Sequence, residues 1–138
     1  MQLSDRIPGV RLITIGWAVT IVVWVVLEGG LWATVIAALL SGMTFLAHLA
    51  KRVLAGRKLA LGSWLLVTAV FGALLGLGTA LLALLLMAVK TGLHAHGPEF
   101  SAEEVNWVLQ QVPLWTVVGL LVGLGLGLLL KAISAQSD

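Results

Sequence analysis

The 138 residues carry eight Lys/Arg and six Asp/Glu, a net charge of +2, and 60% of them are hydrophobic. Soluble domains average roughly 45–50% apolar and about 25% charged residues, so a soluble fold of this length could not hide that surface from water. Cysteine is absent, which excludes disulfides, thiolate metal sites and thiol catalysis, and the small net charge argues against a nucleic-acid partner.

The charges are confined to short islands. Segments 12–27, 29–50, 59–89 and 105–130 contain no acid, lysine or arginine, and His48 is the one histidine within them. A helix needs about 20 apolar residues, with a range near 17–25, to cross a bilayer. The pattern predicts an all-α integral membrane protein, a single domain over 1–138 with four transmembrane helices as two antiparallel hairpins. The predicted spans are 10–27, 31–50, 59–89 and 113–131.

The first span follows Pro8-Gly9 and ends at Glu28-Gly29-Gly30, a turn short enough to force an antiparallel hairpin with the second. Its leader contains an acid and a proline, and no small-residue cleavage site follows. It reads as a retained span rather than a secretory signal. Glu28 closes this helix, so no carboxylate lies midway along it.

The second span carries Thr34, Ala37, Ser41, Thr44 and His48 at heptad spacing. Hydroxyls and imidazole need partners where water is absent, so this stripe faces protein. It reads as an interhelical hydrogen-bonding face. The sharper alternatives are a polar permeation path and a pigment or haem ligand at His48, although a second axial candidate is missing. No cofactor is expected.

The loop Lys51-Arg-Val-Leu-Ala-Gly-Arg-Lys58 is a basic island suited to anionic lipid headgroups. With four spans, Arg6, Arg11, Lys51, Arg52, Arg57, Lys58 and Lys131 share one side and Lys90 stands alone on the other. Under the positive-inside rule both termini are cytoplasmic, in a plasma or inner cell membrane.

The third block, 59–89, is too long. Its 31 residues span roughly 46 Å at 1.5 Å per residue, against a hydrocarbon core of about 30 Å. It must tilt or project beyond the bilayer. Gly92, Gly97 and Pro98 should then end it.

Segment 90–112 is predicted as an outer loop and a short amphipathic helix. Ser101 and Glu104 fit a capping box, with Phe100 and Val105 placed as a hydrophobic staple. Val105, Val108, Leu109 and Val112 form its apolar stripe. Pro113 should mark a kink or join into the fourth span. Trp107 projects opposite the stripe, which makes it a candidate partner contact or a headgroup anchor. Trp32 and Trp115 suit the outer interface and Trp64 the inner one.

Two further constellations stand out. Gly72 and Gly76 in the third span, and Gly119, Gly123 and Gly127 in the fourth, recur every four residues. Small residues at that spacing let backbones approach, so they predict helix packing, with oligomerisation or a glycine-lined pore as the alternative. His94, His96 and Glu99, with Glu28 on the same side, combine ligand types suited to zinc or another divalent cation. No helix-phased metal motif is present, and a solvated loop is the bland reading.

No nucleophile–base–orienter set and no phosphate-binding glycine loop occurs, so an enzyme is not expected. The hairpins differ in loop, length and glycine content, which does not support an inverted-repeat transporter. The sequence favours a non-enzymatic structural or accessory membrane protein, partnered by lipid and by itself or other membrane subunits. A small channel or transporter along the second helix is the alternative.

Overall fold

The computed structural model describes residues 10–26, 29–57, 59–93 and 99–136. They form four α-helices: α1 (Val10–Val26), α2 (Leu31–Leu54), α3 (Leu61–Leu93) and α4 (Ala102–Ala135). α2, α3 and α4 are each long and apolar enough to cross a membrane; α1, at 17 residues, is short.

Local chemistry accounts for several boundaries. α2 runs past the predicted limit through Lys51 and Arg52, cations placed favourably at a helix C-terminus. Gly56 then takes φ 73°, a left-handed conformation that costs glycine nothing, and the chain turns back toward α3. Gly92 does not stop α3, which continues to Leu93. At the start of α4 the capping box forms. The Glu104 N–H donates to Ser101 Oγ at 3.2 Å, and the Ser101 N–H donates to Glu104 Oε2 at 2.8 Å.

The separate amphipathic helix predicted before the fourth span is corrected by the structure. α4 is one helix of 34 residues with Pro113 inside it. Proline in a helix interior costs about 3 kcal/mol, because an N–H is missing and the ring crowds the preceding turn. Packing on both sides of the proline offsets that cost. Val108 is fully buried, and Val105, Val112 and Trp115 pack on the same apolar cluster with Val35, Ala80 and Met87. The predicted stripe is therefore the first part of the face that α4 turns to its neighbours. Leu109 is the exception, at 50% exposure.

α3 and α4 form the tightest pair. Gly76 lies against Trp115, Gly72 against Gly119 and Gly123, and Thr68 against Gly123 and Gly127. Positions rise along one helix as they fall along the other, an antiparallel register. A β-carbon on Gly72 would run into the Gly119 carbonyl oxygen, and one on Gly76 into that of Trp115. Backbone therefore rests on backbone, the approach that small residues permit. Trp64, expected at an interface, is instead 7% exposed and donates its indole N–H to the Gly127 carbonyl at 2.9 Å. It closes the far end of the same seam.

Candidate functional site

The most concentrated chemistry surrounds Lys90, in the last turn of α3. Its side chain is fully buried, and a buried ammonium needs compensating partners. Nζ lies 2.7 Å from Glu99 Oε1 and donates to the Gly29 carbonyl at 3.2 Å. It also sits 4.9 Å from the centroid of the Trp24 ring, within range of a cation–π interaction. One cation thus ties α1, the residue pair before α2, the end of α3 and the residues before α4. Met87, one turn before Lys90, and Phe100, next to Glu99, are both buried in the apolar cluster of the helices. The Trp24 indole N–H is buried there with no acceptor among the described residues.

Sequence reasoning counted Lys90 as a lone charge and overlooked it as a structural centre. A signal was available. It is the one cation predicted on its side, at the end of a helix too long for the bilayer, with Glu99 following in chain order. An ionisable group flanked by apolar residues calls for a named partner.

Of the predicted ligand set, His94, His96 and Glu28 lie outside the described residues. Glu99 is described, is 18% exposed in its side chain, and is engaged by Lys90. Among the described residues no group of three or more His, Asp or Glu side chains comes together.

The polar stripe of α2 is divided between two tasks. Thr34, fully buried, donates to the Gly30 carbonyl at 3.2 Å, Ser41 to Ala37 at 2.7 Å and Thr44 to Leu40 at 2.8 Å. These bonds to the preceding turn satisfy the hydroxyls without a neighbouring helix. Ser41 also accepts from the Trp17 indole N–H at 3.0 Å, and His48 Nε2 lies 2.7 Å from Thr14 Oγ1. Both contacts reach α1. Two polar ties therefore hold the short helix against α2.

Trp107 is half-buried rather than free of the chain. Its ring stands edge-on to Trp32 at 5.4 Å and to Trp115 at 5.9 Å, arrangements favoured by the aromatic quadrupole. Trp32 is 65% exposed at the rim of this cluster.

Together these features define an all-helical chain with three helices able to cross a membrane and a buried lysine clamp at one end. No protein-family model, curated protein or solved structure matches it.

Proposed function

We propose that this chain is a four-span membrane protein, two antiparallel hairpins in one domain with both termini cytoplasmic. In this reading it serves as a non-enzymatic structural or accessory subunit of a homo-oligomer or larger membrane complex. The observation that carries the reading is on α4. Leu114, Val118, Leu121, Gly125 and Leu128 recur at intervals of four and three residues, the period of a helix–helix seam. The four large side chains are about half exposed, and a β-carbon at Gly125 would meet nothing within 4 Å. The seam is thus a second contact face, distinct from the glycines used against α3. The ties from Ser41 and His48 to α1 favour a structural role for the α2 stripe over a permeation path.

Particle size in mild detergent tests the reading. The parent should run well above the mass of one 14.5 kDa chain plus detergent, or bring a membrane partner with it. Gly125→Phe should abolish that assembly while the chain stays folded. A monodisperse parent monomer with no co-purifying protein overturns the proposal.

Orientation is tested by cysteine labelling, which the cysteine-free background makes clean. In intact cells Ala55→Cys should be shielded from an impermeant thiol reagent and Ala102→Cys should react. The reverse pattern would mean that the charge bias has been misread.

A further inference from the structure

Between α2 and α3 lies an apolar groove of about 600 Å³, within the range of about 300–1,000 Å³ typical of ligand pockets. Phe45, Leu46 and Leu49 form one wall and Leu74, Leu81 and Leu85 the other. Its α3 wall, from Leu74 to Leu85, runs roughly 16 Å at 1.5 Å per residue. That length is about half of a 30 Å hydrocarbon core, room enough for much of one acyl chain. Gly78 forms part of the lining, and a β-carbon there would meet nothing within 4 Å.

The charge beside the groove selects its occupant. Phe45, Leu49 and Arg52 stand at i, i+4 and i+7 on α2, so Arg52 continues the groove-lining face one turn further. Arg57 follows in the connection to α3. Both arginines are exposed, and neither has an ion-pair partner among the described residues. An arginine presents a planar fork of donors that matches a phosphate. An apolar trough of acyl-chain length, approached on one helix face by such a donor, matches an anionic phospholipid.

We infer that the α2–α3 groove seats one acyl chain of an anionic phospholipid whose phosphate is held by Arg52 and Arg57. The lipid fills the space where the two helices stand apart and neutralises the end of α2. The inference rests on the four-span reading above, because that reading brings the arginines to headgroup depth.

The test uses the full chain in mild detergent with phosphatidylglycerol or phosphatidylcholine of identical acyl chains, and native mass spectrometry counts the lipid retained. The parent should retain phosphatidylglycerol preferentially. Arg52→Gln, an exposed substitution, should reduce that preference about fivefold, the effect expected of one cationic side chain at an anionic surface. Gly78→Phe should fill the groove and lose both lipids. Leu85→Trp, at a position already 57% exposed, narrows the same groove and should weaken retention of both. Undiminished phosphatidylglycerol retention in Gly78→Phe and Leu85→Trp overturns the seat, as does a preference unchanged by Arg52→Gln. A parent dimer that Gly78→Phe dissociates also overturns it, since a second copy would then occupy the groove. Failure of the four-span reading looks different: before any lipid is added, the chain would be missing from the membrane fraction of cells, or Ala55→Cys would react with the impermeant reagent in intact cells.

Discussion

Lys90→Met should destabilise the folded chain by roughly 3 kcal/mol, the lower end of what breaking a buried ion pair costs. The lysine is fully buried, and its loss removes the ammonium that faces the Glu99 carboxylate and the Gly29 carbonyl. Glu99 keeps 18% of its side-chain surface exposed, which holds the penalty below that of a fully enclosed acid. The penalty comes mainly from the acid that loses its counter-charge. Lys90→Met combined with Glu99→Gln should therefore recover a large part of the loss, because neither charge then remains. Denaturant titration in detergent, followed by the helical circular dichroism signal, measures both variants. A single variant within about 0.5 kcal/mol of the parent, as for ordinary surface changes, would show that the clamp is energetically idle. Lys90→Arg keeps the charge but puts a larger planar guanidinium where a compact ammonium is fully enclosed, so its cost reads the fit of the site rather than its charge.

Gly72→Val or Gly119→Val should cost about 3 kcal/mol or more, at or beyond the upper end of ordinary overpacking. Each new β-carbon would collide with a carbonyl oxygen of the opposite helix, and backbone cannot swing aside as a flexible side chain can. The helices would have to separate along the whole seam and weaken the contacts at Gly76, Gly123 and Gly127. Gly62→Ala and Gly92→Ala are the matched controls. Both glycines are helical and a β-carbon at either meets nothing within 4 Å, so alanine should be neutral or stabilise by roughly 0.5–1 kcal/mol through its lower backbone entropy in the unfolded chain. Measured unfolding free energies should split the four variants into two groups. Equal costs at Gly92 and Gly119 would contradict the interhelical register.

Much of this architecture is legible in composition and spacing. Apolar block lengths mark the four helices, and the Ser101–Glu104 capping box places the start of α4. Glycine spacing identifies α3 and α4 as helices suited to close approach. These signals are local, because each depends on residues within a few turns of one another. They survive whatever the rest of the chain does.

The continuation of α4 through Pro113 was not legible. Proline is a strong local signal for a break, and it was outweighed by the burial of Val108 and the packing of Trp115, on opposite sides of it in sequence. The α2 stripe shows the same limit from another direction. Its period marks a face that needs partners, while the partners, Trp17 and Thr14, belong to another helix and are set by its placement.

The sequence by itself therefore determined the all-helical class of the chain, its apolar helical blocks and the residues available for close packing, because hydropathy, capping and periodicity act within a segment. Only the tertiary structure decided which glycines meet backbone and which face open space. Gly123 and Gly125 are two residues apart and identical in chemistry, yet one abuts Thr68 and the other nothing. It also turned Lys90 from an isolated charge into the centre of a clamp, by bringing Trp24, Gly29 and Glu99 to one ammonium. The reason is that a buried charge is defined by its partners, and partners distant in the chain become neighbours only when the helices pack.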